Sequence, residues 1–295
     1  MLEVVDALGR AIALSRPATR VVSLVPSETL SVVDLAGLDR LIGRTTYCVE
    51  PRGVIESIPT CGGTKNIDVD KIIALAPDLV LANQEENSKK EVLKLIEAGV
   101  PVHVSFPQTL GESRAYLSTL ARLLGVNEDA PALREVDDAT KHARLHARVD
   151  RVSVFVPIWM DPLMTFDGRT FASSILAAVG ADNVFADRKR RYPLAADIGQ
   201  AHALSEEQVA DRDTRYPRVT LSEIETRAPQ AVLLPDEPHP FTPADEAVFS
   251  GLRIPAARRA QVIQLDGKDL FWYGTRVTIG LPRLCAQITA LSNAP

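Results

Sequence analysis

Hydrophobic positions along this 295-residue chain fall in short continuous runs separated by stretches with helical spacing. Val4-Val5 and Ile12-Ala13-Leu14 flank a polar turn, Asp6 to Arg10 with Gly9 inside it, which predicts a β-hairpin. The apolar run Arg20 to Leu24, ended by Pro26-Ser27, predicts a buried strand. Ser27 or Thr29 is placed to cap a helix through Leu30, Val33 and Leu38, with a stop at Gly37-Leu38-Asp39. Leu41 to Thr45 predicts another strand, Ser88 to Ala98 a helix stopped by Gly99, and Val102 to Phe106 a strand. Strands and helices that alternate with short links predict a mostly parallel sheet.

The pattern also repeats. Residues 67–85 (IDVDKIIALAPDLVLANQE) and 219–237 (VTLSEIETRAPQAVLLPDE) share six of nineteen positions: Ile72/Ile224, Ala76/Ala228, Pro77/Pro229, Val80/Val232, Leu81/Leu233 and Glu85/Glu237. Chance would give roughly one. RVVSLVP at Arg20 to Pro26 is matched by RVSVFVP at Arg151 to Pro157. In the first copy Val69, Ile72, Ile73 and Ala76 share a helical face, Asp68 or Asp70 supplies N-terminal negative charge, and Pro77 ends the helix before the strand Leu79 to Ala82. Leu221, Ile224 and Ala228, then Pro229, then Ala231 to Leu234 repeat this in the second copy. Two copies of one α/β unit predict two similar lobes, with function expected in a cleft between them. Their boundaries are placed at 1–127, a connecting helix at 128–150, and 151–295.

The connecting segment differs in kind. Eleven of the twenty-four residues from Glu128 to Arg151 are charged, and Leu133, Val136, Ala143 and Ala147 make a thin apolar stripe. Asp137 and Lys141 are spaced as an i,i+4 ion pair. A helix of that length would span about 36 Å. Between the two parts of the second copy lie twenty-one extra residues, near Asp187 to Pro217. That polar stretch carries two Arg-Tyr-Pro tripeptides and reads equally as an elaborated loop at the cleft or a solvated insertion.

A net charge of −5 leaves no basic footprint for nucleic acid, and no apolar run is long enough to span a membrane. MLEVVDALGR has no secretory pattern. The chain is therefore expected to be periplasmic or at the cell surface if a signal was removed, and cytoplasmic if Met1 is the native start. Three cysteines, Cys48, Cys61 and Cys285, form no CxxC, although Cys48 and Cys61 could pair in an oxidising compartment. The five histidines form no zinc-protease motif, and there is no nucleophile elbow, P-loop or dinucleotide fingerprint. Gly62-Gly63-Thr64-Lys65-Asn66 reads as an anion-binding nest or as a tight turn.

Ligands of parallel α/β sheets bind beyond the carboxyl ends of the strands. The loops expected there hold Pro26-Ser27-Glu28-Thr29, Asn83 to Asn87 with Glu85, Pro107-Gln108, Pro157 to Met160, and Asp236-Glu237-Pro238-His239. Tyr47, Trp159, Tyr192, Trp272 and Tyr273 are candidate aromatic lining, and Glu85, Asp236, Glu237 and His239 candidate polar contacts. No catalytic residue and no metal-ligand set emerges.

RVVSLVPSETLSVVDLAG, GGTKN, DKIIALAPDLVLA, FDGRTFASSILAAVGADNVF and SEIETRAPQAVLLPDE, in that order, resemble the class III periplasmic binding proteins, the helical-backbone metal receptors. The resemblance implies two Rossmann-like α/β lobes with parallel sheets, joined by one long backbone helix. It implies a monomeric, non-enzymatic receptor for a metal chelate, with a corrinoid such as cobalamin favoured and a ferric siderophore or haem as alternatives. The chelate is cargo, delivered to an ABC permease, and no resident cofactor is expected. It also implies docking through one acidic residue per lobe. Asp70 matches that place, whereas its counterpart is Ser222 with Glu223 one residue on. A cytoplasmic enzyme or chaperone acting on a chelate, with Asp236 and Glu237 as acid and base, is the alternative from another class. A regulatory module that has lost its ligand is the third.

Overall fold

The computed structural model describes residues 2–147 and 150–292. The chain forms two compact units. Unit 1 runs to Asp138 and takes back Trp272–Thr278; unit 2 comprises Ala139–Phe271 and the chain from Ile279 on.

Unit 1 opens with the predicted hairpin, β1 (Leu2–Val5) and β2 (Ala11–Leu14), paired antiparallel. It continues β3 (Val21–Ser23), α1 (Pro26–Ala36), β4 (Leu41–Arg44), α2 (Val69–Ala74), β5 (Leu79–Asn83), α3 (Lys89–Glu97), β6 (Val102–Ser105) and α4 (Leu110–Leu124). Helix α5 (Pro131–His146) begins in unit 1 and ends in unit 2. Unit 2 then runs β7 (Val152–Phe155), the small hairpin β8 (Trp159–Met160) and β9 (Leu163–Met164), α6 (Phe171–Ala178) and β10 (Ala181–Asn183). Next come two short helices, α7 (Leu194–Asp197) and α8 (Glu206–Val209), followed by α9 (Leu221–Arg227) and β11 (Ala231–Pro235). The chain closes with α10 (Pro243–Ser250), α11 (Pro255–Arg258), β12 (Val262–Leu265), α12 (Gly267–Phe271) and α13 (Val277–Ser292).

The sequence repeat is a repeat of topology. The unit 1 sheet has the order β4-β3-β5-β6 and the unit 2 sheet β10-β7-β11-β12, so corresponding strands occupy corresponding places. All six pairings are parallel. Helices α2 and α9 start 152 residues apart and so do strands β5 and β11, the offset read from sequence. Asp68 caps α2 by accepting from the Lys71 N–H, and Thr220 caps α9 by accepting from the Glu223 N–H. Each copy buries one isoleucine completely, Ile72 and Ile224. Both leave the helix through an alanine in the left-handed region, Ala76 at φ 46° and Ala228 at φ 48°. Each precedes a proline that denies it the helical region.

Five local expectations change. Helix α1 starts at Pro26 and has no side-chain cap; Ser27 and Thr29 lie inside its first turn, and the Thr29 hydroxyl turns back to Val25 O. The buried face of α2 is Val69, Ile72 and Leu75, while Ile73 is 39% exposed, because the helix ends too early for Ala76 to join it. In α9 only Ile224 is buried, with Leu221 and Ala228 exposed. Helix α5 has 16 residues, so it spans about 24 Å rather than 36 Å. Residues 148–149 of the predicted helix lie outside the described residues. Its stripe is buried at Leu133, Val136 and Ala143, but Asp137 binds Arg114 of α4 at 2.7 Å rather than pairing along its own helix.

The two cores differ in substance. Unit 1 packs aliphatic side chains, among them Val22, Leu24, Val80, Val92 and Leu95, between sheet and helices. In unit 2, Phe155 meets Phe185 and Phe249 at ring-centroid distances of 5.3 and 5.8 Å, with Ile224, Val232 and Ile254 around them.

A polar cluster binds the strand ends of unit 1 together. Glu28, in the first turn of α1, is fully buried. Its Oε1 accepts from Ser105 Oγ at the end of β6 (2.5 Å) and from the Tyr273 hydroxyl (2.8 Å). Asn83 Nδ2, at the end of β5, donates to both of those oxygens at 3.1 Å. Burial pushes the Glu28 carboxyl up to about 8, so it is a neutral acid at pH 7. The segment carrying Tyr273 is pressed close: Gly274 has φ 82°, and a Cβ there would lie 2.2 Å from Ser31 Oγ.

Gly274→Ala combines left-handed strain with that overlap and is expected to cost about 3 kcal/mol in urea unfolding; a cost under about 0.5 kcal/mol would refute the close approach. For Glu28 the folded acid holds its proton more tightly than the unfolded one, so its contribution is complete below pH 4.5 and declines as pH rises to 8. The stability of the wild type relative to Glu28→Gln should therefore fall between pH 4.5 and 8 and level off above, as read by urea titrations across that range. His103, pushed down to about 4 by burial, has the opposite slope but is common to both proteins and cancels. A difference independent of pH would show that Glu28 titrates normally.

Candidate ligand-binding site

In unit 1 the carboxyl ends of the strands present one exposed ring and one ordered loop. Tyr47 is 62% exposed and lies on Gly63, where a Cβ would meet its ring at 3.2 Å. Gly62 (φ 83°) brings the chain within reach of Asn66 O, and the Gly63 N–H donates to that oxygen. The glycine-rich segment is thus a tight turn, with the Gly63 donor consumed inside it. Lys65 Nζ reaches Glu85 O at 2.5 Å, joining this turn to the loop after β5. Asn83 Oδ1 accepts from the Glu85 and Glu86 N–H groups, and Asn87 Nδ2 donates to Leu24 O and Thr64 O. The Glu28 cluster therefore fixes Asn83, and Asn83 fixes the backbone of Glu85. Tyr273 and Trp272 are both buried, with the Tyr273 hydroxyl committed to Glu28. Tyr273 thereby fastens α1 to the ends of β5 and β6 inside unit 1. Unit 1 also has an open cavity of about 190 Å³ beside α4, lined in part by His103, Ser105 and Tyr116.

In unit 2 the β8–β9 hairpin projects beyond β7 and carries Trp159, 44% exposed. Its indole N–H donates to Asp161 O at 2.9 Å, which fixes the ring. The ring centroid is 5.2 Å from that of His239, and His239 is 4.7 Å from buried Phe241. Structure thus brings together two of the predicted residues, Trp159 and His239, in an aromatic chain that runs from the surface to the core. Asp236 is used locally: its Oδ1 accepts from Gly267 N–H at 2.7 Å, at the start of α12. Glu237 covers the same glycine, whose Cβ would meet it at 2.6 to 3.0 Å. Tyr192 stands elsewhere, in the insertion, with its hydroxyl donating to Asp213 O.

The insertion is ordered by charge. Arg188 is buried and binds Asp197 at 3.0 Å and Glu223 at 2.8 Å. Asp197 also accepts from the Arg191 and Arg218 N–H groups, so one carboxylate holds both ends of the segment. Glu223 is consequently half-buried and paired, whereas Asp70 is exposed in the first turn of α2.

Cys48, Cys61 and Cys285 are all free thiols in buried positions, so the Cys48–Cys61 bond is not formed. Burial raises all three thiols above the ordinary range. Among the described residues no group of three His, Cys, Asp or Glu side chains is arranged to hold a metal ion. Sequence reading missed Glu28, Ser105 and Asn83 as a unit; Glu28 and Asn83 stood in two of the strand-end loops, but nothing in the pattern marked their side chains as buried.

Known proteins share this architecture. A vitamin B12-binding protein of Yersinia pestis is 28% identical over 214 residues, covering 70% of this chain and 69% of the relative. The periplasmic vitamin B12 binding protein of Vibrio cholerae superposes with a TM-score of 0.71 at 19% identity, over 94% of this chain and 99% of its own. A periplasmic heme binding protein from Pseudomonas aeruginosa gives 0.73 at 20% identity, over 94% of both chains. At such identities the structures establish a shared fold. The family profile described as "Periplasmic binding protein" matches residues 21–237, well over half of the chain. On that match and the duplicated parallel sheets, the chain belongs to the periplasmic binding protein family, in its class III, helical-backbone branch.

Proposed function

We propose that this protein is the solute-binding receptor of an ABC importer for a bulky metal chelate, acting on the outer side of the membrane, with a corrinoid of the vitamin B12 type as first candidate and haem or a ferric siderophore as the others. The observation that carries this reading is the exposed indole of Trp159, backed by His239 and Phe241 at the carboxyl end of a parallel sheet. Such a ring offers a flat apolar face to a macrocycle or aromatic chelate. The curated relatives that bind vitamin B12 and the haem-binding structural neighbours supply the ligand class. Tyr47, Glu85, Tyr192 and His239 are assigned to the remaining contacts, with Asp236 and Glu237 shaping the loop beside them. No described helix is long and apolar enough to cross a membrane.

The family carries its solute without transforming it, which sets aside the enzymatic alternative. Asp236 itself has accepted a backbone N–H and is poorly placed as a free acid or base.

Titration with cyanocobalamin, haem and ferric siderophores, followed by absorbance or calorimetry, tests the reading. At least one chelate should bind with a Kd near or below micromolar, about −8 kcal/mol. Trp159→Ala should weaken it about tenfold with an unchanged melting temperature. The reading is lost if every chelate binds more weakly than about 1 mM. Docking is assigned to Asp70 on unit 1, with Glu223 its counterpart. Asp70→Arg should then lower stimulation of the importer's ATPase severalfold while leaving chelate affinity unchanged, an effect of one exposed charge at an interface; equal stimulation would remove Asp70 from the contact.

A further inference from the structure

Helix α5 ends on two histidines that have no part in holding the chelate. His142 and His146 stand four residues apart in its last turn, and both are exposed. That spacing sets side chains one above the other on a single helical face. Their rings are stacked, with centroids 3.9 Å apart and 25° between the planes. Val136, Ala139 and Ala143 of the same helix are buried, while Leu145 is 72% exposed. The backbone beneath the pair is thus packed down, and the two rings stand in solvent.

One hydrogen bond sets the chemistry of the pair. His146 Nδ1 lies 2.8 Å from His142 O. A carbonyl oxygen only accepts, so Nδ1 carries the proton and donates. In the neutral ring the lone pair is then on Nε2, at the free end. Histidine ligates metals in this way, with one ring nitrogen donating to a carbonyl and the other presenting its lone pair. The exposed His142 ring needs only a rotation about its Cβ–Cγ bond, a soft torsion, to bring a second nitrogen to the same ion.

The charges around the pair agree. Asp138 is exposed four residues before His142, on the same face, and adds negative charge towards a cation. Lys141 is one residue from His142 and five from His146, and Arg144 is two from each, spacings that turn both cations to other faces. Among the described residues no third His, Cys, Asp or Glu completes the set, so the pair supplies two ligands and solvent the others. Imidazole suits Cu2+, Ni2+ and Zn2+, whereas Mg2+ and Ca2+ take oxygen ligands.

We infer that His142 and His146 form a surface clip for a free divalent transition-metal ion, separate from the residues assigned to the chelate. A bound ion fastens the last turn of α5, the helix that begins in unit 1 and ends in unit 2.

Calorimetric titration of the untagged full chain with CuCl2, NiCl2, ZnCl2 and MgCl2 tests the clip. One ion should bind per chain, Cu2+ the most tightly and Mg2+ not at all. His142→Gln and His146→Gln should each weaken Cu2+ binding about tenfold or more, at least the scale seen when a partner of a ligating histidine is lost. His202→Gln, at an exposed histidine in the insertion, should leave binding unchanged. Electron paramagnetic resonance of the Cu2+ complex should show two imidazole nitrogens in the wild type and one in either variant. Both side chains are exposed, so the variants should melt with the wild type in EDTA. Cu2+ binding that is equal in the wild type and the double variant, or that is weaker than about 1 mM in the wild type, would overturn the clip and leave the receptor reading untouched.

Discussion

The order in unit 1 depends on one buried acid. Glu28 sits where α1 leaves β3, and its Oε1 gathers Ser105 from β6 and Tyr273 from the returning C-terminal segment, with Asn83 of β5 bracing both. Each such hydrogen bond contributes about 1 kcal/mol net, and removing the acid would take from the buried Ser105 and Tyr273 hydroxyls the acceptor they share, while their bonds to Asn83 and to each other remain. A parallel sheet has no hairpins to fix the relative height of its strand ends. The cluster supplies that constraint, and because Asn83 also orders the Glu85 and Glu86 amides, it reaches the surface loop. Neutrality is what makes the arrangement tolerable: an ionised carboxylate in the same place would pay the full cost of desolvation.

Unit 2 solves the matching problem with an ion pair. Its additional segment between β10 and α9 is held by Arg188 and Asp197, each nearly inaccessible. Breaking such a pair leaves an uncompensated buried charge and costs roughly 3 to 5 kcal/mol. Asp197 binds the N–H groups of Arg191 and Arg218, 27 residues apart, so the insertion is closed at its base like a drawstring. Two readings of this segment were open in the sequence, an elaborated loop and a solvated one. The buried pair orders the base of the segment, while most of the residues from Gly199 to Asp213 stay exposed.

The parts legible in the sequence were those set by periodicity and duplication. An offset of 152 residues located α2 against α9 and β5 against β11, because burial of a helix face and a strand imposes the same pattern twice. Side-chain destinations were not legible. Tyr273 and Tyr47 look alike as loop aromatics, yet one is buried against Glu28 and the other rests openly on a glycine. Trp272–Thr278 joins unit 1 through contacts with residues more than 150 positions away, such as Gly274 N–H to Ser113 Oγ, and no local pattern encodes that. The length of α5 was overestimated because charge density continues past both ends of the helix, although Pro131 marked its start.

The second copy differs from the first beside the same insertion. In unit 1 the first turn of α2 offers Asp70 to solvent, and nothing in the chain neutralises it by an ion pair among the described residues. At the equivalent turn of α9 the acid is displaced by one residue, to Glu223, and Arg188 from the base of the insertion holds it at 2.8 Å. The arginine that orders the insertion is also the arginine that pairs with Glu223. The two copies keep the same sheet and the same left-handed alanine, and they differ where the added charge has to be balanced.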